Sequence, residues 1–161
     1  VHHSATATFY APSELAGLGG MHRETIRSTP RWFGQRPQFD TVLIQTDTNA
    51  PGMLGMTVAR VRAFLSFTYG HIRYQCALVE WFDLVGEEPD PLTGMWMVKP
   101  EMAQGRPVTR IVPVGSIVRV CHLIGVYGRT KIPRSFHYAD TLDAFRMFYV
   151  NWFIDYHAHE V

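Results

Sequence analysis

This chain of 161 residues has a formal net charge of +1 and contains 47% hydrophobic and 13% aromatic residues. A chain of this length forms one domain and buries roughly 70% of its unfolded surface, so it needs neither a metal nor a disulfide to fold. The near-neutral charge excludes a nucleic-acid binder that acts through whole-molecule charge and leaves only a local basic patch. No apolar run reaches the ~18 residues that a membrane span needs.

The two cysteines, Cys76 and Cys121, stand in apolar, strand-like runs and form no CxxC pair. We therefore expect buried thiols of an intracellular protein rather than a disulfide or a zinc knuckle. The chain starts at Val1 without an initiator Met or a signal-peptide pattern. We expect it to be a piece of a longer protein.

Residues 1–37 differ in texture from the rest, because they contain several glycines and prolines and show little alternation. This composition predicts an irregular N-terminal arm ahead of a barrel that spans residues 38–161. The arm carries a group of basic and aromatic side chains, among which Glu24 is the only acid: Arg23, Arg27, Arg31, Trp32 and Arg36. Such a group suits phosphate contact and base stacking on nucleic acid. The same arginines could instead extend to solvent from an arm that packs across the barrel.

Two strands are predicted next, over Phe39 to Thr46 and over Val58 to Tyr69. In the second strand one face is apolar and the other carries Arg60, Arg62, Ser66 and Thr68, which is typical of antiparallel pairing. The predicted apolar face is Ala59, Val61, Ala63, Leu65, Phe67 and Tyr69. Gly70 and His71 then form a tight connection, which predicts a hairpin with the following strand.

The stretch Ile72 to Val85 is the longest strand-like run of the chain and predicts the central strand of the sheet. Its middle is apolar on both faces, so we expect cover on both sides. One face is predicted to hold Ile72, Tyr74, Cys76, Leu78, Phe82 and Leu84. Glu80 is the exception on that core face, and it needs a charged partner because an unpaired buried carboxylate is costly.

An acidic loop, Gly86 to Gly94, separates this strand from the last third of the chain. Short strands are predicted over Met95 to Val98, Val108 to Val114 and Ser116 to Ile124, and Pro113 places the middle one at an edge. Asp140 or Thr141 then caps a predicted C-terminal helix. Its apolar stripe has helical spacing: Leu142, Phe145, Tyr149, Trp152 and Phe153.

Motifs for catalysis or cofactor binding are absent from the sequence: it has no nucleophile elbow, P-loop, dinucleotide fingerprint or HExxH. The glycines at 17–20 follow no predicted strand, so a phosphate role is disfavoured. Asp155, His157 and His159 would share one side of an extended tail and could hold a metal, but would diverge on a helix. We expect a solvated terminus there and no metal site.

Aromatic residues cluster in the sequence at strand ends and beside the acidic loop. They are Tyr69, Tyr74, Trp81, Phe82 and Trp96. Several aromatics around one mouth, with acids nearby, could form a cage for a methylated ammonium group. The alternative is ordinary core or rim packing.

Several sequence motifs of this chain resemble motifs of two known families. The runs VARVRAFLSF, ALVEWFDLV and IVPVGSIVRVCHLI resemble the three signature strands of the bromo-adjacent homology (BAH) domain, over about residues 57–124. Other runs extend nearly end to end and resemble the C-terminal region of fungal Plavaka-type transposases. They are FYAPSELAGLGGMHRE, RVRAFLSFTYG with YQCALVEWF, TGMWMVKPE and DAFRMFYVNWFIDYHAHE.

The resemblance implies a mostly β protein: a small antiparallel, BAH-like β-barrel with a C-terminal helix, attached to a transposase whose catalytic carboxylates lie upstream. BAH domains are interaction modules without activity of their own. Methyl-lysine readers among them build an aromatic cage at and after the strand that Trp81 and Phe82 match, and Asp83 here replaces an aromatic residue of that cage.

We therefore expect a non-catalytic, nuclear module without a cofactor or a membrane contact, which binds a histone tail or another chromatin protein. The residues expected to receive a basic peptide are Tyr69, Tyr74, Trp81, Phe82, Asp83, Glu87, Glu88 and Trp96. The alternative is a DNA-docking domain of the transposase that contacts phosphate through the basic arm. The catalytic part of the parent transposase is a further expected partner.

Overall fold

A computed structural model describes residues 1–11, 18–32, 36–128 and 131–154. The strands of these residues are β1 Ser4–Tyr10, β2 Met21–Trp32, β3 Arg36–Phe39, β4 Thr41–Gln45, β5 Met56–Tyr69, β6 Ile72–Leu84, β7 Met97–Pro100, β8 Met102–Ala103, β9 Arg106–Pro107, β10 Thr109–Pro113, β11 Ile117–Val120, β12 Leu123–Gly125 and β13 Phe148–Val150. The α-helix of these residues is α1, Thr141–Ala144, and 3₁₀ turns lie at Leu18–Gly20, Gly52–Gly55, Val114–Ser116 and Tyr138–Asp140. Among the described residues no helix is long and apolar enough to cross a membrane.

The main sheet has the order β11-β4-β5-β6-β7-β13-β12, with β10 paired to β6 beside this path, and every pair is antiparallel. Its two end strands, β11 and β12, are joined by only Cys121 and His122. The sheet therefore curls back on itself into a half-barrel. The prediction of a mostly β, antiparallel, barrel-like fold is confirmed, and a helix is present near the C-terminus, as predicted, although it has only one turn.

Each face of the curled sheet packs on its own core cluster. The first cluster combines β4, β5 and β6 with the N-terminal strands and contains Ala7, Ile26, Val42, Ile44, Ala59, Val61, Phe64, Ala77 and Val79. The second lies on the opposite face, under β7, β12 and β13, and contains Leu43, Met53, Val58, Phe82, Val98, Cys121, Leu123, Phe148 and Val150. The predicted cover of the central strand on both sides therefore holds only for its second half, where Ala77 and Val79 pack in the first cluster and Phe82 in the second.

Strand β5, which pairs with the first half of the central strand, differs from the prediction because it contains a bulge between Val61 and Ala63. Val61 lies opposite Val79, but Ala63 lies opposite Leu78. Adjacent residues of a strand point to opposite faces, so the bulge moves the rest of β5 to the other side of the sheet. The predicted single apolar face of β5 is therefore wrong, and its outer half lies on an exposed face.

The described part of residues 1–37 does not form the irregular arm that the sequence predicts. It contains β1, β2 and the start of β3, which make a three-stranded antiparallel sheet. The bridge between His2 and Phe64, together with a 2.8 Å hydrogen bond between His2 Nε2 and Ser66 Oγ, ties this sheet to β5. The glycines that suggested irregularity lie mainly between β1 and β2, where Gly19 and Gly20 have φ of 75° and 76°.

The predicted C-terminal helix is wrong in extent. Helix α1 ends after one turn, and Phe145 is already extended with φ −100° and ψ 151°. The next residues form β13, in which Phe148 and Val150 are buried and Tyr149 is half-buried. Aromatic and β-branched residues with alternate burial favour a strand, and pairing to both β7 and β12 fixes it.

Smaller boundaries also shift. The strand predicted over Ser116 to Ile124 is divided into β11 and β12, because the chain crosses there from one sheet end to the other. The acidic stretch 86–94 is a loop, as predicted. Strand β10 pairs with β6 on one side, which agrees with its predicted edge position.

The β5–β6 hairpin is confirmed, and its turn supplies a stability prediction. Tyr69 pairs with Ile72, and Gly70 and His71 have φ of 55° and 66°, as in a type I′ turn. A side chain at a left-handed position costs about 1–2 kcal/mol. We expect His71→Gly to raise the free energy of unfolding by about 0.5–1 kcal/mol in urea denaturation.

The control for this substitution is Gln75→Gly, which adds the same flexibility at an extended position of β6. It is expected to lower the free energy of unfolding by about 0.5–1 kcal/mol. Equal destabilisation by both substitutions would show that the turn places no strain on His71.

Candidate functional site

Strands β1 and β2 form an antiparallel ribbon whose two faces differ in composition. Residues opposite each other in such a pair share a face, and Ser4 lies opposite Arg27 while Thr8 lies opposite Arg23. The outer face is built from Ser4, Thr6, Thr8, Tyr10, Met21, Arg23, Thr25 and Arg27. Not one of these residues carries a carboxylate, so this face presents hydroxyl groups and positive charge together. We call it the basic ribbon face.

The inner face of the ribbon fixes this orientation. Ala7 and Ile26 are buried in the first core cluster. Glu24 lies opposite Ala7, and its Oε1 accepts a hydrogen bond from the backbone N–H of Val120. Arg119 lies over the ring of Phe9, with 4.7 Å between Cζ and the ring centroid. The one acidic side chain of the two strands is thus turned away from the arginines.

The two arginines of the basic ribbon face stand four residues apart, which is about 13 Å along an extended strand. Arg27 is held by stacking, because its Cζ lies 4.6 Å from the centroid of the Trp32 ring. Its backbone N–H donates to Asp40 Oδ2 at 2.7 Å. The Trp32 side chain is itself exposed. Arg23 can therefore extend toward a ligand, whereas the orientation of the Arg27 side chain is fixed by its contact with Trp32.

The remaining two predicted arginines extend the basic region beyond the ribbon. Arg31 is exposed near the end of β2, after a register shift between Thr29 and Trp32. Arg36 lies opposite Trp32 in β3 and donates to Asp140 Oδ1 at 3.3 Å. Within the described part of the chain, no ion pair engages Arg23, Arg27 or Arg31. Three of the predicted arginines therefore keep their charge uncompensated.

A large cleft begins beside this basic region. It has a volume of about 850 Å³ and is lined by residues of β3, β4 and β12 and of the turn before α1. Trp32 and Arg36 lie on its wall, together with His122, His137 and Tyr138. The exposed ring of Trp32 thus stands between the arginines and a recess with several hydrogen-bonding groups.

The structure does not bring the eight predicted peptide-binding residues into one cage. Phe82 is buried against Phe148, with 6.0 Å between ring centroids. Trp81 packs on the first core cluster and lies under Arg110, whereas Trp96 packs on the second. Asp83, Glu87 and Glu88 are exposed in and after the end of β6.

The two predicted tyrosines lie at the far end of the hairpin. Tyr74 precedes Trp81 by seven residues, which is about 23 Å along an extended strand. It stacks on Phe67 across the hairpin, with 5.3 Å between ring centroids and 18° between ring planes. Tyr69 pairs with Ile72 at the turn, and both are exposed. These side chains belong to a separate apolar surface, which the sequence analysis assigned to the core.

A belt of three charged residues, Arg60, Arg62 and Glu80, separates that surface from the second core cluster. Glu80 has the partners that its position predicts: Arg62 Nε lies 3.5 Å from its Oε1, and Arg60 Nη1 lies 3.9 Å from its Oε2. Arg60 also donates from Nη1 to Asp143 Oδ1 at 2.7 Å, which links β5 to α1. The ring of Phe39 packs against both arginines. Because the charged groups of the belt contact one another and Phe39, we assign the belt a role in stability rather than in binding.

The remaining sequence candidates give no metal site among the residues that the structure describes. The groups of His, Cys, Asp and Glu in the described residues include none that could hold a metal ion. Asp155, His157 and His159 lie outside the described residues. Both cysteines are free thiols, as predicted, with Cys76 half-buried and Cys121 buried. Burial raises the pKa of the Cys121 thiol to about 12, against a smaller opposing effect of Arg119. That thiol is therefore unreactive at neutral pH.

Comparison of the chain with known proteins returns no match, either among protein-family models, among curated proteins or among solved structures.

Proposed function

We propose that this protein is a non-catalytic DNA-docking module that contacts the phosphate backbone through the basic ribbon face. The observation that carries the proposal is the alternation of β1 and β2, which turns Arg23 and Arg27 outward among hydroxyl groups and turns Glu24 inward. Arginine, serine and threonine side chains are among the groups that contact phosphate in protein–DNA complexes. A face with these groups and without carboxylates has the chemistry of a phosphate-binding surface.

The proposed contact is electrostatic and independent of base sequence. Arg23, Arg27 and Arg31 would each replace condensed counterions on the backbone. Trp32 stands at the end of this line with its ring exposed, where it could stack on an unpaired base. The local patch also explains how a chain with a net charge of only +1 could bind DNA.

Binding of a histone tail or another chromatin protein is the first expectation from the sequence, and the geometry supports it less than DNA docking. Trp81 and Trp96 pack on different core clusters, and Phe82 is buried. The predicted aromatic residues therefore do not form one cage beside the exposed acids Glu87 and Glu88. We rank this candidate below DNA docking for that reason.

The proposed function predicts that Arg23→Ala and Arg27→Ala each weaken binding to a 20-base-pair duplex about tenfold or less at 50 mM salt, uniformly across sequences. Removing both should have a roughly additive effect, since the two side chains contact separate phosphates. Fluorescence anisotropy with a labelled duplex measures the dissociation constants. A single strand of the same length, measured in parallel, reports whether Trp32 favours unpaired bases.

The matched control is Arg106→Ala, which removes an exposed arginine from β9, outside the basic ribbon face. It should leave the affinity within about twofold of the unchanged protein. Equal losses from Arg106→Ala and Arg23→Ala would contradict the proposed face, as would a protein that shows no DNA binding at 50 mM salt.

A further inference from the structure

The outer half of the β5–β6 hairpin presents an exposed apolar face that the proposed DNA docking does not use. Residues opposite each other share a face, and Phe67 lies opposite Tyr74 while Tyr69 lies opposite Ile72. Strand β10 extends this face, because Ile111 lies opposite Leu78. The full set is Leu65, Phe67, Tyr69, Ile72, Tyr74, Cys76, Leu78, Ile111 and Pro113. We call it the hairpin face.

The exposure of the hairpin face is large for apolar side chains. Tyr69 is 76% exposed, Ile111 65%, Ile72 59% and Phe67 53%. With roughly 150–250 Å² for each aromatic side chain, these fractions leave on the order of 500 Å² of apolar area on the face. The largest contiguous apolar patch of a typical monomeric protein has about this size and often has a function.

The composition of the hairpin face indicates an apolar, uncharged partner. No residue of the face carries a charge, and the carboxylates nearest in register lie at its inner end, where Glu80 is paired with Arg62. A basic peptide would therefore find no counter-charge on this face. A second copy of the same chain offers an identical neutral surface, and two such faces bring no like charges together.

The area also fits a second copy. Two hairpin faces packed on each other would remove on the order of 1,000 Å² from solvent, which is the lower limit for a specific protein interface. A two-fold arrangement uses the same patch on both chains and closes, so it leads to no further growth. Sheet faces pack in this way at about 10 Å, with side chains interdigitated.

We propose that this protein forms a two-fold symmetric dimer through the hairpin face, with Phe67, Tyr69, Ile72 and Tyr74 of each chain packed against those of the other. The limited area makes the dimer weak, with a dissociation constant on the order of 1–100 µM. The ribbon lies against the opposite face of β5, at Phe64 and Ser66, so dimer formation leaves the basic ribbon face open.

Sedimentation equilibrium of the whole chain between about 1 and 200 µM tests the proposal. We expect a monomer–dimer equilibrium in the unchanged protein and a dissociation constant at least about tenfold higher for Ile72→Glu, because a buried carboxylate at the turn opposes packing. The control is Leu92→Glu, which introduces the same charge at a 93% exposed residue of the acidic loop and should change nothing.

Cysteine labelling gives a second measurement on the same samples. Cys76 belongs to the hairpin face and is half-buried, whereas Cys121 is buried and unreactive at neutral pH. Alkylation should therefore report Cys76, and its rate should fall several-fold as the protein concentration rises through the dissociation constant. In Ile72→Glu the rate should stay independent of concentration.

Three outcomes would overturn the dimer: a monomer throughout the concentration range, a dimer that Ile72→Glu leaves intact, or concentration-independent labelling in a dimeric protein. If the protein is a monomer and Cys76 is labelled slowly at every concentration, another segment of the same chain covers the hairpin face, and the dimer is again overturned. Circular dichroism in the near ultraviolet confirms that Ile72→Glu is folded. The DNA measurements with Arg23→Ala are independent of all these outcomes.

Discussion

Replacement of Arg60 by Ala is expected to lower the free energy of unfolding by about 3 kcal/mol, measured by urea denaturation. The Arg60 side chain is only 9% exposed and contacts carboxylates from two other elements, Glu80 of β6 and Asp143 of α1. Its removal leaves Glu80, which is largely buried, with Arg62 as its remaining charged partner. Breaking a buried ion pair from one side is costly because the other charge stays out of water.

The control for Arg60→Ala is a substitution at Asp143, the second carboxylate that Arg60 contacts. In Asp143→Ala the buried Arg60 keeps Glu80 as a charged partner at 3.9 Å, and the carboxylate that is removed is 67% exposed, so the lost pair is screened by solvent. Asp143→Ala should therefore lower the free energy of unfolding by no more than about 1 kcal/mol. Similar losses for the two substitutions would show that the α1 contact, rather than the belt between β5 and β6, sets the stability of this region.

Phe148→Ala is expected to cost about 3–5 kcal/mol of unfolding free energy. Phe148 is completely buried in the second core cluster, and its ring contacts Phe82 and Phe145 edge-to-face. Truncation would leave a cavity between β6, β13 and the segment after α1, and neighbouring strands that are hydrogen-bonded on both sides of β13 cannot move in to fill it.

The matched control is Tyr149→Ala at the next residue, where the side chain is half-buried and points to the other face of β13. It should cost less than half as much as Phe148→Ala. The apolar stripe of the predicted helix included Tyr149 and not Phe148, so a helix would give the opposite ranking. Thermal and urea unfolding of both variants therefore distinguish the strand from the helix as well as testing the core.

The hairpin was predictable because its signals are local: alternation on both strands and a Gly70–His71 turn that needs left-handed backbone. The side of the sheet on which its outer residues lie was not predictable. That depends on one extra residue in β5 near Arg62, and no composition or spacing marks the bulge. The bulge moves Leu65, Phe67 and Tyr69 to the other side of the sheet, whereas Tyr74 of β6 keeps its predicted face and is exposed there.

The basic residues of the candidate site were identified from the sequence, but not the ribbon that presents them. The inward residues of strand β1 include alanines, which have a low strand propensity, so the sequence does not reveal the alternation of this strand. Strand β2 turns Glu24 and Ser28 inward, and these polar residues conceal the alternation further. Only the pairing of Ala7 with Glu24, and the bond from Val120 to the Glu24 carboxylate, show which face is outside.

Salt dependence of duplex binding tests the central claim most directly, because it counts the charges that contact phosphate. Arg23 and Arg27 of the basic ribbon face, together with Arg31 beyond it, predict that the logarithm of the binding constant falls with the logarithm of salt concentration at a slope of about −2.7. Between 50 and 200 mM salt the affinity should therefore fall on the order of 40-fold, and the Arg23→Ala protein should show a slope nearer −1.8. A slope near zero in the unchanged protein, or the same slope in both proteins, would contradict phosphate contact through the basic ribbon face.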